Sequence, residues 1–210
     1  MIIKLKYYFL VVFFLRISVG SFAVADKNDD WTLIKNENDI QVYIFKIPNQ
    51  SIVKAKTKTI IKSSMKQVID VLDDIDKRHE WVPFLKHSKA LSVYENNKRV
   101  EYSHFEAPWP ASDRDFVYQI ELIAKSPTHQ IYKMHSVASN LMPVNNDKVR
   151  ADLYESIYTL TEIDNQTTAV ELIFYADPKG WLPTWIINII QRVLPFKILK
   201  NLKHRLTLND

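Results

Sequence analysis

The strongest constraint in this chain is residues 177–183, which read Asp-Pro-Lys-Gly-Trp-Leu-Pro. Gly180 is one of only two glycines in the sequence, and the other, Gly20, lies near the amino terminus. A chain that uses glycine so sparingly places it where a turn needs a positive φ or a close backbone approach. An apolar strand precedes Gly180, and Pro183 suits a first helical turn, because its missing N–H needs no partner there. We therefore predict that a strand passes through this turn into a carboxy-terminal helix.

The helix predicted over residues 184–206 has one broad apolar face. Spacings of three and four place these residues on it: Trp185, Ile186, Ile189, Ile190, Val193, Leu194, Ile198, Leu199, Leu202 and Leu206. Most are expected to pack in a core, and Pro195 predicts a kink, because it removes one hydrogen bond of the helix. Trp181 and Trp185 have the amphipathic character favoured at a membrane–water interface, with ordinary packing as the alternative.

The amino terminus predicts a signal peptide over residues 1–25. Lys4 and Lys6 form a basic start, residues 10–15 are apolar, and Ala-Val-Ala at 23–25 is a cleavage signal. The alternative is an uncleaved anchor, but the apolar run is short of the ~20 residues of a membrane span, and Arg16 interrupts it. This interpretation leaves residues 26–210 as one domain, exported to a periplasm or secreted.

Composition excludes several classes of function. Three of the four net positive charges belong to residues 1–25, and the remaining basic residues are interspersed with acids, so no nucleic-acid surface is predicted. Cysteine is absent, which excludes thiol catalysis and thiolate metal sites.

Periodicity predicts an α+β domain in which a curved antiparallel sheet wraps a helix. One helix is predicted after Ser63 or Ser64, with an apolar stripe from Met65 to Ile75. The predicted strands cover residues 31–34, 40–47, 52–61, 90–94, 99–106, 116–124, 130–138, 148–162 and 168–175.

No catalytic, metal or cofactor site is predicted. The sequence contains no G-x-S-x-G, H-E-x-x-H, P-loop or G-x-G-x-x-G motif. Its six histidines are scattered, with none at a helical spacing from another ligand: His79, His87, His104, His129, His135 and His204. His104 and Glu106 share a strand face and could form an acid–base pair, although a surface pair is the more ordinary interpretation.

Four blocks together resemble START (StAR-related lipid-transfer) domains. They are residues 177–188, the Trp-Pro-x-x-Asp-Arg-Asp-Phe-Val segment at 109–117, the segment from Met142 to Tyr158, and Glu80-Trp81. The resemblance implies a helix-grip fold, related to that of Bet v 1, in which the sheet and the carboxy-terminal helix enclose an apolar tunnel for a single lipid. It also implies that the helix or its neighbouring loops open to admit that lipid.

The candidate tunnel residues are Glu101, Phe105, Trp109, Phe116, Arg150, Tyr154, Phe174, Trp185 and Ile189. By the resemblance, Glu101 matches an acidic cavity residue whose usual basic partner is missing here. Ile120 stands where sterol-carrying members have an arginine, which argues against a sterol. Arg150 either orients a polar headgroup or pairs with Asp152 or a neighbouring strand's acid.

Two further observations limit the number of residues that can line a tunnel. Strand parity sends about half of the aromatic side chains away from any tunnel. Arg114, between Asp113 and Asp115, is expected to form a local ion pair.

Three functions fit the sequence. The first is a monomeric carrier that binds a lipid or another hydrophobic molecule and touches membranes transiently. The second is a polyketide aromatase or cyclase on the same fold, with His104 and Arg150 as the first residues to test. The third is a module that recruits a partner through its carboxy-terminal helix and has a collapsed tunnel.

Overall fold

A computed structural model describes residues 31–93 and 95–207 of the chain. The predicted signal peptide lies outside these residues. Ten strands in the described part are β1 Thr32–Glu37, β2 Ile40–Lys46, β3 Val53–Ile61, β4 Leu85–Ala90, β5 Lys98–Phe105, β6 Arg114–Ser126, β7 His129–Ser136, β8 Val149–Arg150, β9 Asp152–Asp164 and β10 Thr167–Asp177.

The strands form one sheet in the order β1-β2-β3-β10-β9-β7-β6-β5-β4, and each neighbouring pair is antiparallel. The short strand β8 pairs with β6 in parallel, opposite Arg114 and Asp115. Two strands differ from the prediction: residues 85–90 pair with β5 where the sequence pattern had favoured 90–94, and the strand predicted over 148–162 is divided into β8 and β9. Residues 86–89 are polar, so backbone pairing with β5 decides that this segment forms a strand.

The first helix, α1, covers Met65–Asp73 and begins with a capping box. Gln67 N–H donates to Ser64 Oγ at 3.3 Å, and Ser64 N–H donates to Gln67 Oε1 at 2.9 Å. A short 3₁₀ helix at Arg78–Glu80 follows. These two elements close one side of the sheet's concave face.

The carboxy-terminal helix has three parts: α2 at Thr184–Asn188, a π-helical turn at Ile189–Val193, and α3 at Leu194–Thr207. The Leu194 N–H donates to the Ile189 carbonyl, five residues back. The irregularity therefore takes the form of a π turn just before Pro195, which has no N–H with which to continue the ordinary pattern.

The core lies between α3 and the sheet. Leu199 and Leu202 are fully buried, and α3 contacts β2, β3 and β10. The Asn201 side chain donates to the Trp81 carbonyl at 2.8 Å, which fixes α3 to the segment after α1. The predicted α+β architecture, with a curved antiparallel sheet around a carboxy-terminal helix, is confirmed. None of the described helices combines the length and apolarity needed to cross a membrane.

Candidate functional site

An apolar cavity of about 400 Å³ lies between the concave face of the sheet and the carboxy-terminal helix. Its volume is within the range of small-molecule pockets. Its apolar wall includes Leu72, Trp81, Phe116, Ile120, Met134, Leu153, Leu172, Phe174, Ile186, Ile189, Ile190, Leu194 and Ile198. The sheet can enclose this space because alternate residues of β5, β6, β7, β9 and β10 point inwards.

Five candidate residues from the sequence analysis line this cavity: Phe105, Phe116, Phe174, Trp185 and Ile189. Phe105 and Phe116 meet edge to face across β5 and β6, with their ring centroids 5.6 Å apart. Whether these residues contact a ligand stays a prediction.

Three further candidates lie outside the cavity, which corrects their placement in the tunnel. Trp109 is 89% exposed, in the loop after β5. Arg150 is turned towards Asp115, with its Nε 2.7 Å from Oδ1, and it also donates to the Met142 and Pro143 carbonyls. Its role is to tie β8 and the preceding loop to β6, so it pairs with an acid on the neighbouring strand.

Tyr154 was misplaced because of a β-bulge. The pairing of β9 with β10 shifts register between Leu153 and Glu155, and this shift turns Tyr154 outwards. Tyr154 is 45% exposed, lies against Tyr175 at 4.9 Å between ring centroids, and donates to Asp177 at 3.3 Å. Strand alternation counted back from Ser156 and Tyr158, which line the cavity, would have placed Tyr154 inwards.

Glu101 is fully buried behind the cavity wall, and its basic partners come from positions other than 120, where Ile120 replaces the usual arginine. Arg78, from the 3₁₀ helix, donates to Glu101 Oε2, and Arg99 Nε donates to Oε1 at 2.6 Å. Tyr118 Oη donates to Glu101 Oε2 at 3.0 Å and lies 2.9 Å from Ser103 Oγ. We call Arg78, Arg99, Glu101, Tyr118 and Ser103 the polar end of the cavity.

Charges at the polar end are balanced. Arg99 also donates to Asp73 at 3.1 Å, and Arg78 to the Leu72 carbonyl at 2.9 Å, so two arginines face two carboxylates. Burial, with the Glu101 charge beside it, raises the pKa of the Tyr118 hydroxyl to about 12, so it remains a neutral donor. Sequence reasoning missed Arg78 because 23 residues separate it from Glu101 and no motif marks it.

Arg114 binds the loop that contains Gly180, which corrects the expected local ion pair. Its guanidinium donates to the carbonyls of Pro178 at 3.3 Å, Lys179 at 3.1 Å and Trp181 at 3.2 Å, and to that of Ser112. Gly180 has φ +63°, as the sequence predicted, and a Cβ there would lie 3.3 Å from Val149 Cγ2. Arg114 therefore fixes the turn that leads into α2.

The cavity opens to solvent where its lining residues are themselves exposed. Phe84 and Trp185 both line the cavity and are 44% and 49% exposed. Trp109 follows Pro108 and Trp181 precedes Leu182, and both of these neighbours line the cavity. We call Phe84, Trp109, Trp181 and Trp185 the aromatic mouth. The Glu106 N–H donates to the Phe84 carbonyl at 2.8 Å, which holds Phe84 beside β5.

His104 and Glu106 do not pair with each other. His104 Nε2 lies 2.7 Å from Asp113 Oδ2, and Glu106 binds Lys86 at 3.0 Å. Burial penalises the Asp113 charge, but the Ala107 N–H, His104 and Lys86 together hold the pKa of this carboxyl below its usual value. Over residues 31–93 and 95–207, no three His, Asp or Glu side chains are grouped closely enough to hold a metal ion.

Comparison with known proteins assigns the chain to a family. The START domain family model covers residues 23–209. The chain belongs to the START domain family. Phosphatidylcholine transfer protein from Rattus norvegicus is 22% identical over 163 residues, an alignment that spans 76% of this chain and 75% of that protein. An uncharacterized protein from Pseudomonas aeruginosa is 22% identical over 175 residues, covering 83% of this chain and 86% of its own.

Solved START structures share the fold. A STAR-related lipid transfer protein from Xanthomonas axonopodis is 26% identical, with a TM-score of 0.74, and the superposition covers 85% of this chain and 99% of that one. The resemblance inferred from four sequence blocks and the predicted helix-grip fold are both confirmed.

Proposed function

We propose that this START domain binds one hydrophobic lipid in its cavity and carries it between membranes. The observation that carries the proposal is the apolar cavity of about 400 Å³ beneath the carboxy-terminal helix, whose lining includes the exposed Phe84 and Trp185 of the aromatic mouth. The family's relatives include proteins named for phosphatidylcholine transfer and ceramide transfer.

Physical chemistry explains why such a cavity is sufficient for transfer. Exposure of an acyl chain to water costs about 0.8 kcal/mol per methylene, so a sixteen-carbon chain faces roughly 13 kcal/mol on leaving a membrane. A cavity that shields the chain removes most of that cost without any chemical step.

The aromatic mouth is the surface we propose for membrane contact. Its tryptophans, Trp109 and Trp181, are 89% and 69% exposed, and each directly adjoins a cavity-lining residue. Tryptophan side chains are favoured at the level of the lipid headgroups. Contact at the mouth would let a lipid pass into the cavity without crossing water.

Entry requires an opening, and we propose that α2 and the π turn provide it. Both line the cavity through Trp185, Ile189 and Ile190, whereas α3 is fixed by buried leucines and by the bond from Asn201 to Trp81. Export of the protein by its predicted signal peptide, and its action as a monomer, are parts of the same proposal.

The alternatives have less support. The residues named for a cyclase, His104 and Arg150, bind Asp113 and Asp115 and do not line the cavity. A module that only recruits a partner needs no cavity beneath its helix. We therefore favour the carrier.

A transfer assay tests the proposal. Donor vesicles carry a pyrene-labelled lipid, and its arrival in acceptor vesicles is followed by fluorescence with and without the protein. Met134 lines the cavity, so Met134→Trp should fill the space and slow transfer at least about tenfold.

The matched control is Ile123→Trp, which adds the same side chain at a position that is 50% exposed. It should leave transfer unchanged. Equal transfer by both variants and the unsubstituted protein would contradict the proposal.

A further inference from the structure

Two hydroxyl groups in the cavity wall have no partner in the protein. Tyr158 and Ser156 line the cavity from β9 and are only 7% and 5% exposed. None of the residues described, 31–93 and 95–207, forms a hydrogen bond with Tyr158 Oη or Ser156 Oγ. Buried hydroxyls in proteins are nearly always paired with protein or ordered water, so both of these are available to a hydrogen-bonding partner that enters the cavity.

The two hydroxyls lie on one face of one strand. They are two residues apart on β9, so both point into the cavity. Tyr158 pairs across the sheet with Leu172 and Tyr132, and Ser156 pairs with Phe174 and Met134. Three of these four neighbours are apolar, and the fourth, Tyr132, has its hydroxyl paired with Gln130. The two β9 hydroxyls are therefore the free hydrogen-bonding groups in this part of the wall among the described residues.

The nearest charges are already engaged. Arg78 acts electrostatically on Tyr158, but its guanidinium donates to Glu101, Tyr118 and the Leu72 carbonyl. An anionic headgroup would have to compete with the fully buried Glu101 for Arg78, and a cationic headgroup would meet a carboxylate already held by two arginines. Burial of a further unpaired charge in this setting is strongly unfavourable.

We propose that Tyr158 and Ser156 form a subsite for an uncharged hydrogen-bonding group of the cargo, such as a hydroxyl, amide or ester, and that the cavity excludes ionised headgroups. The inference rests on the proposed function, because it concerns what the same cavity binds. Both hydroxyls can donate and accept, so the subsite suits a group with either capacity. Burial raises the pKa of Tyr158, which keeps the phenol protonated and neutral.

Three ligands with the same chain test the subsite. Dodecan-1-ol, dodecane and dodecanoate are titrated into the full chain at about pH 8, where the carboxylate is ionised. Dissociation constants are measured by displacement of the neutral fluorophore N-phenyl-1-naphthylamine. We expect the alcohol to bind at least about tenfold more tightly than the carboxylate.

The substitution Tyr158→Phe removes one hydroxyl and keeps the ring. It should weaken the binding of dodecan-1-ol about tenfold and leave the binding of dodecane unchanged, because only the alcohol loses a hydrogen bond. Ser156→Ala should also weaken the binding of dodecan-1-ol. Tyr43→Phe is the matched control, since Tyr43 lies on β2 outside the cavity lining and its hydroxyl donates to Gln41 at 3.0 Å, and it should leave dodecan-1-ol binding unchanged.

The outcomes separate this inference from the proposed function. Binding of the fluorophore and dodecane, with dodecan-1-ol insensitive to Tyr158→Phe and Ser156→Ala, would show that water pairs the hydroxyls and would overturn the subsite alone. Dodecanoate binding as tightly as the alcohol would also overturn it. If the unsubstituted protein takes up neither the fluorophore nor any ligand, the carrier function itself fails.

Discussion

The polar end and the aromatic mouth of the cavity differ in almost every physical respect. The polar end is buried and charged, and each of its groups is engaged, with Glu101 fully inaccessible. The mouth consists of exposed aromatic side chains, which lie on connecting segments and at the start of α2. Along β5, the four steps from Glu101 to Phe105 span about 13 Å.

The difference indicates that the two regions of the cavity have different tasks. A buried, cross-paired network holds one geometry, because removing one of its charged members leaves another buried charge without its partner. Exposed aromatic side chains contribute little to folding stability but can contact a membrane. The polar end is therefore expected to govern stability and selectivity, and the mouth to govern exchange with membranes.

The largest expected effect comes from breaking the polar end. Glu101→Ala leaves Arg78 and Arg99 facing each other without their shared carboxylate. We expect a loss of about 3–5 kcal/mol in the free energy of unfolding. Urea denaturation followed by circular dichroism measures it.

The control for that substitution is an ion pair in water. Lys66 and Asp70 lie 2.6 Å apart on α1, with their side chains 82% and 57% exposed. Asp70→Ala should change stability little, because solvent screens such pairs. If the two substitutions had equal effects, the buried network would not be the structural anchor described above.

At the mouth, the turn into α2 depends on a single backbone conformation. Gly180→Ala adds a Cβ at φ +63° and 3.3 Å from Val149, so we expect a loss of about 2 kcal/mol in stability. The loss should appear as faster hydrogen exchange in residues 177–193 than in α3. Uniform loss of protection across the chain would contradict a local role for this turn.

Removing the exposed aromatics tests the mouth without disturbing the fold. Trp109→Ser with Trp181→Ser should lower affinity for vesicles roughly fivefold, because apolar area no longer enters the interface, and the melting temperature should not change. Sedimentation with liposomes measures the affinity. Val93→Ser is the matched control, since Val93 is 83% exposed near the opposite end of β5. Weaker liposome binding by this control as well would argue against a specific mouth.

The smallest effect is a pH dependence near the mouth. The pKa of the Asp113 carboxyl is held below its ordinary value of 3.8 by the Ala107 N–H, His104 and Lys86, against the effect of burial. A lowered folded-state pKa contributes stability that is present above the unfolded value and is lost as the pH falls through the folded value. Asp113→Asn should therefore flatten the loss of stability below about pH 4. If Asp113→Asn lost stability below about pH 4 as steeply as the unsubstituted protein, Asp113 would not be the group responsible.

The fold followed from local patterns, and much of the site did not. Gly180, the alternation of β10 and the apolar face of the last helix are local signals, and each gave the correct element. The pair of Arg78 and Glu101 forms between elements 23 residues apart, so no local pattern could reveal it. The placement of Tyr154 in the tunnel was wrong for a different reason. The bulge beside it reverses strand parity, and only pairing with β10 determines where a bulge falls.

Arg114 and the β9 hydroxyls show the same limit. The charges next to Arg114 suggested a local ion pair, but its partners are carbonyls at least 64 residues away, apart from that of Ser112. Ser156 and Tyr158 share a strand face, which alternation could have indicated. That they lack partners depends on the whole cavity.

The most direct test of the central claim is a native mass spectrum of the protein purified without detergent. The account predicts one lipid per chain, released on denaturation, and predicts that Met134→Trp lowers the fraction carrying it. A protein of unliganded mass that takes up nothing after incubation with extracted membrane lipids would contradict the claim.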